Sequence, residues 1–277
     1  MLDLAELPVG VFDSGVGGLT VLSALREQLP GESFLYLGDT ARLPYGTKSS
    51  HTVTRYAMQA AGVLVERGIK LLVVACNTVS AVALERLRDH FAPLPVVGVV
   101  EPGASAACVR SQTGAILVIG TESTIRGGAY ERAIASRREH ARVTSQACSL
   151  FVALAEEGWI AGDVVDAIAT RYLAAHFRRE ISHVPDCVVL GCTHFPVLRG
   201  AITRVVGPEV VLVDSAATTA TAVTQALSQG GLLARNDHPI TKLLATDAPD
   251  RFARVGEVFL RTAIPQGSVE LVDLTPM

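Results

Sequence analysis

Long apolar runs, basic clusters and C-x-x-C pairs are all missing from this chain, and each gap closes off a class of function. No apolar stretch approaches the about 20 residues that a helix needs to cross a bilayer, so no membrane span is expected. The start, Met1-Leu2-Asp3-Leu4-Ala5-Glu6, is acidic and lacks the basic opening of a secretory leader, which predicts a soluble cytoplasmic protein. The 24 Lys and Arg residues are scattered and the formal net charge is −3, so no nucleic-acid surface is indicated. Cysteines number five, an odd count that argues against a disulfide framework. Cys187 and Cys192 lie five apart, the wrong spacing for a metal site. The only three lysines, Lys48, Lys70 and Lys242, fall in no recognisable pyridoxal site. His51, His90, His140, His176, His183 and His238 show no ligand spacing. Neither a metal nor a cofactor is therefore expected.

What is present is apolar and periodic. Hydrophobic residues make up 49% of the 277 residues and charged residues 18%, enough for a large core in one large domain or two of ordinary size. Short apolar runs read as strands at Pro8–Phe12, Phe34–Leu37, Leu71–Ala75, Val96–Val100, Ala115–Ile119, Val143–Ala147, Val188–Leu190 and Val210–Val213. Between them, helical spacing appears at Leu19–Leu29, Ser50–Arg67, Ser80–Phe91, Ala104–Arg110, Gly128–Ser136, Asp163–Phe177, Val197–Val206 and Ala216–Gln229. The segment Ser149–Glu157 reads as a loop or short helix, and residues 240–277 hold strand-like pieces at Lys242–Ala245 and Val269–Val272. Alternation of strand and helix predicts an α/β fold of two similar lobes, each a parallel-rich sheet sandwiched by helices. A border near Val99–Gly103 and a return near Val211–Ser215 divide the chain into residues 1–99 plus 212–277 and residues 100–211.

Two cysteines have matching surroundings. Cys76 follows the run Leu71–Ala75 and Cys192 follows Cys187–Gly191, and each is trailed by small polar residues. In each half an earlier strand ends in its own polar turn, at Asp13-Ser14 and at Gly120-Thr121, which amounts to a weak internal repeat. Open α/β sheets bind ligands at the C-terminal ends of strands, so the two thiols are expected to face one another across a cleft. Such a pair suits inversion at the α-carbon of an amino acid. One thiolate removes the weakly acidic hydrogen, the opposite thiol returns a proton, and the roles exchange in reverse. Asp13 and His194 are placed to steer those protons, and Ser14, Gly46, Asn77, Thr78 and Thr193 can donate to carboxylates. Cys108 reads as a small core residue on a helix, Cys187 as the start of a strand, and Tyr45 as a rim contact.

Longer stretches carry a resemblance. Phe12-Asp13-Ser14-Gly15-Val16-Gly17-Gly18-Leu19, Gly38-Asp39-Thr40-Ala41-Arg42-Leu43-Pro44-Tyr45-Gly46 and Ala75-Cys76-Asn77-Thr78 are followed by Gly120-Thr121 with Thr124, Gly191-Cys192-Thr193-His194-Phe195-Pro196 and Val213-Asp214-Ser215. In this order they resemble the bacterial glutamate racemases of the aspartate/glutamate racemase family. The resemblance implies cofactor-independent interconversion of L- and D-glutamate, with Cys76 and Cys192 as the acid/base pair, and a supply of D-glutamate for peptidoglycan. It also implies substrate contacts from Asp13, Ser14, Tyr45, Gly46, Asn77, Thr78, Thr121, Thr124, Thr193 and His194, support of the His by Glu156, and a homodimer. The chain departs from the family at Gly127, usually a serine, and across Cys148–Glu156, usually containing prolines.

Rival readings differ in chemistry. An aspartate or hydantoin racemase would use the same fold and thiols. A cysteine hydrolase would use Cys192 and His194 and leave Cys76 without a task. An amino-acid binding protein would leave the α-hydrogen unexchanged. A phosphate cradle at Asp13–Gly18 lacks the full G-x-G-x-x-G spacing.

Overall fold

The computed structural model of the protein describes residues 4–178 and 180–274; the first residues of the acidic start, 1–3, lie outside them. In chain order the elements are β1 (Val9–Asp13), α1 (Leu19–Gln28), β2 (Phe34–Gly38), α2 (Ser50–Glu66), β3 (Leu71–Val74), α3 (Asn77–Val82), α4 (Leu84–Phe91) and β4 (Val96–Gly98). There follow α5 (Val100–Arg110), β5 (Ala115–Gly120), α6 (Glu122–Gly127), α7 (Ala129–Ala135), β6 (Arg142–Ala147), α8 (Leu150–Glu156), α9 (Asp163–Leu173), β7 (Cys187–Gly191), α10 (Arg199–Val206) and β8 (Val211–Asp214). The chain closes with α11 (Ser215–Gln229), β9 (Thr241–Ala245), α12 (Pro249–Leu260) and β10 (Val269–Leu271).

Two sheets result, one in the order β10-β9-β2-β1-β3-β4 and the other β6-β5-β7-β8. Every ladder is parallel. Parallel neighbours need crossover helices, which cover both sheet faces. That is why β1, β2, β3, β5 and β7 are buried along their whole length and read as largely apolar runs. Apolar clusters lie on the two faces of each sheet. The Leu19, Leu22 and Leu25 stripe of α1 packs with Val223 and Phe259 on one face of the first, and Val53, Ala57 and Leu64 of α2 fill the other. Beneath the first sheet, the Lys70 ammonium is fully buried. It reaches Glu32 Oε2 at 2.5 Å and donates to the carbonyl oxygens of Ala5 and Leu232 at 2.5 and 2.8 Å, which compensates its desolvation.

The orders β2-β1-β3-β4 and β6-β5-β7-β8 are the same, strand for strand. In each, the chain moves one way from the first strand and then returns to its other side. The reversal leaves a crevice at the C-terminal ends of β1 and β3 in one sheet, and of β5 and β7 in the other. The weak repeat in the sequence is thus the trace of one topology used twice.

Several boundaries differ from expectation. The expected return at 212 falls inside β8, whose pairing with β7 keeps Val211–Asp214 in the second sheet, so the crossing comes at Ser215. The helix expected over Ser80–Phe91 begins earlier, at Asn77, and breaks at Ala83 (φ −126°, ψ −6°) into α3 and α4. Arg199 begins α10 only after a short 3₁₀ turn at Phe195–Leu198. Beyond residue 240, α12 joins the two expected strands. Its buried Phe252, Val255 and Phe259 have helical spacing, and Pro249 stands where a helix start tolerates it. Cys108 is only partly buried on α5, whereas Cys187 opens β7 as a buried residue.

Candidate active site

The C-terminal ends of the two sheets meet over a cavity of about 300 Å³, lined from both lobes. Cys76, the residue just before α3, enters from the first lobe; Cys192, just past β7, enters from the second. Each thiol stands at the reversal of its own sheet, one beside β1 and the other beside β5. The two expected thiols therefore share one cavity. Ser14, Tyr45, Gly46, Asn77, Thr78, Thr121, Thr193, His194 and Glu156 line it as well. Asp13 and Thr124 stand one layer behind the lining, both buried.

The two thiols have different neighbours. Cys76 donates to Ser14 Oγ at 3.4 Å. Burial, with the Asp13 carboxylate behind it, pushes the Cys76 thiol up to about 12. Asp13 accepts from the Gly15 N–H at 3.0 Å through Oδ2, while its buried Oδ1 has no partner. Burial raises the Asp13 carboxyl above the usual carboxylate range, against the pull of His194 and of backbone N–H groups.

Cys192 Sγ lies 3.7 Å from His194 Nδ1, a contact that a two-residue separation does not require. On its far side His194 Nε2 meets Glu156 Oε1 at 3.2 Å, and the Phe259 ring packs edge-on at 5.0 Å. Burial opposes the imidazolium, yet the bonds to Cys192 and Glu156 outweigh it and raise His194 to about 10. Glu156 is itself shifted below the usual range: burial raises it, but His194 and Arg251, whose Nη2 is 3.6 Å from Oε2, prevail. These bonds favour the protonated imidazole, and an imidazolium beside Cys192 stabilises negative charge on its sulfur. No lysine or arginine lines the cavity among the described residues.

Hydroxyl and amide groups supply the rest of the polar lining. Thr78 Oγ1 lies 3.0 Å from Thr121 Oγ1 and 3.3 Å from Thr124 Oγ1, joining the lobes at the cavity wall. Thr121 also caps α6, accepting from the Thr124 N–H. Tyr45, expected at the rim, is 1% exposed. Its hydroxyl donates to the buried Asp39 carboxylate, which also accepts from Arg42 Nε at 2.7 Å and Thr246 Oγ1 at 2.8 Å. Asp39 thus fixes the Tyr45 side chain and with it the Leu43–Gly46 loop that lines the cavity.

Sequence reasoning missed Leu43, Pro44, Thr47, Ser149, Val152 and Ala153 in the lining. The last three share a signal. Ser149, Val152, Ala153 and Glu156 follow i, i+3, i+4, i+7, so one face of α8 meets the cavity. Reading that segment as a loop or short helix hid the face.

Two like lobes with a thiol from each in the cleft between them have the architecture of a cofactor-independent racemase. The model of the Asp/Glu/hydantoin racemase family matches residues 14–223. A glutamate racemase of Geobacter metallireducens is 49% identical over 253 residues, 91% of this chain and 92% of its own. A solved glutamate racemase of Francisella tularensis, in complex with D-glutamate, superimposes with a TM-score of 0.90 at 35% identity, covering 98% of this chain and 99% of that one. A glutamate racemase isoform of Bacillus anthracis does so at 0.91 and 36%, with the same coverage. The chain belongs to the Asp/Glu/hydantoin racemase family.

Proposed function

We propose that this protein interconverts L- and D-glutamate by proton transfer between two thiols, without a cofactor. The observation that carries the reading is the pair Cys76 and Cys192, one from each lobe at equivalent strand ends, lining one cavity. Glutamate is favoured because the relatives that match nearly the whole chain are glutamate racemases, and one solved relative is in complex with D-glutamate.

Glutamate lies with its α-carbon between the sulfurs. From one enantiomer, the Cys192 thiolate takes the α-proton and becomes a thiol, and the electron pair delocalises into the carboxylate. The Cys76 thiol then protonates the opposite face and becomes the thiolate. From the other enantiomer the same steps run in reverse. His194 balances charge at Cys192, and Glu156 keeps His194 protonated. Asp13, held above its usual range behind Cys76, assists proton movement there. Ser14, Asn77, Thr78, Thr121, Thr193 and the Tyr45–Gly46 backbone bind the carboxylates, with Thr124 supporting Thr78 and Thr121. The product D-glutamate feeds peptidoglycan synthesis in the cytoplasm, and the enzyme works as a homodimer.

The test is a cofactor-free assay of the purified protein against L- and D-glutamate, aspartate and hydantoins. Equal approach to a racemic mixture from either glutamate enantiomer is expected. Turnover of aspartate or a hydantoin with glutamate inert would contradict the substrate assignment. The contact of Cys192 with His194 also suits a hydrolase, which would show an acyl group on Cys192 and no need for Cys76.

A further inference from the structure

Asn77 and Tyr130 sit on opposite lobes and meet at the cavity wall. Asn77 opens α3 directly after Cys76, while Tyr130 lies in α7. The Tyr130 hydroxyl donates to Asn77 Oδ1 at 2.6 Å. Asn77 lines the cavity, and its Nδ2 is buried with no hydrogen-bond partner. A primary amide carries two acceptor sites and two donors. Leaving buried donors unpaired costs about 1–3 kcal/mol, so an exposed ligand group that accepts from them is the natural partner. We propose that Tyr130 is a positioning residue that holds the Asn77 amide with its N–H groups presented to a substrate carboxylate. This rests on the amino-acid racemase reading above.

The alternative rotamer of the amide would exchange Oδ1 and Nδ2, setting an acceptor where a substrate carboxylate needs a donor. A phenol can donate or accept, so the anion itself selects the orientation in which Tyr130 donates. Nothing about Tyr130 is loose. It is 1% exposed. A Cβ on Gly103 would come 3.3 Å from its Cε1, and one on Gly191 would come 3.1 Å from its Cε2. The ring is thus clamped against the residue before Cys192 while its hydroxyl holds the residue after Cys76. One side chain of the second lobe touches the residue next to each thiol.

Tyr130→Phe keeps the ring and removes the donor. Its KM for both enantiomers should rise about tenfold, the worth of one charge-assisted hydrogen bond. Its kcat should change by less than about threefold, as for lost uniform binding. In an Asn77→Leu background, the same substitution should leave KM unchanged. A purely structural role would lower melting temperature and kcat and leave KM alone. Asn77→Asp supplies a second variant: it keeps an acceptor for Tyr130 and loses the donors, and its KM should rise at least as far. Wild-type KM in Tyr130→Phe or in Asn77→Asp, or additive effects in the double variant, would overturn the proposal. The wild-type rate over an amino-acid panel reports the substrate assignment separately, and KM is then read on the amino acid that turns over.

Discussion

His194 is held from two sides, and that fixes how its charge responds to pH. Its folded value of about 10 lies above the ordinary histidine value of 6.5, so the cation is favoured below about 10 and is lost as pH rises through it. Part of the support is the Glu156 carboxylate at 3.2 Å. In Glu156→Gln the alkaline limb of kcat should move down by about one to two pH units, the worth of a hydrogen bond to a charged group. The rate near pH 7 should fall little. A pH–rate profile checks this, and an unmoved limb would contradict the role given to Glu156. Cys76 and Cys192 were legible as a pair, because each follows a buried apolar strand and is trailed by small polar residues. The Glu156–His194 contact spans 38 positions, and no local pattern encodes a pairing of that reach. Asp39 was visible only as part of a matching stretch, because its task is set by Tyr45, Arg42 and Thr246 converging on it in space.

At the scale of elements, the turn between β1 and α1 packs directly against the second lobe. A Cβ on Gly17 would overlap His194 Nδ1 and Thr193 Oγ1. Thr20 of the same helix donates to the Thr193 carbonyl at 3.2 Å. Gly17 is therefore required by contact across the cleft, and not by its backbone angles. Gly17→Ala should cut racemisation by about 100-fold, since a shift near 1 Å at a reacting group costs that much. Overpacking should also cost about 1–3 kcal/mol of stability. Steady-state rates and urea unfolding measure the two together, and a wild-type rate would contradict the close approach. The strands were legible because burial on both faces leaves unbroken apolar runs. The α3–α4 break and α12 were less so. At the first, tertiary packing interrupts a segment with continuous helical spacing. In the second, Gly256 and interspersed charges weaken a stripe that burial makes plain.

The molecule as a whole repeats one strand order and turns the two copies toward each other. Each copy contributes the crevice where its order reverses, so the cavity inherits a thiol from each side at equivalent strand ends. The parallel-rich α/β fold was legible from alternation, and the loose repeat pointed to two like lobes. The exact return point was not, because β8 is read as a strand whichever sheet it joins; only its ladder to β7 assigns it. Symmetry of fold comes with asymmetry of charge. An imidazole whose bonds favour protonation stands beside Cys192, and a buried carboxyl stands behind Cys76. Two-thiol transfer predicts that the wild-type protein, given either glutamate enantiomer in D₂O, incorporates deuterium at the α-carbon as it racemises. Cys76→Ser and Cys192→Ser should each lose about 10²–10⁴-fold in racemisation in both directions, the usual contribution of a positioned acid or base. Near wild-type rates in both directions from either single variant would contradict proton transfer between the two thiols.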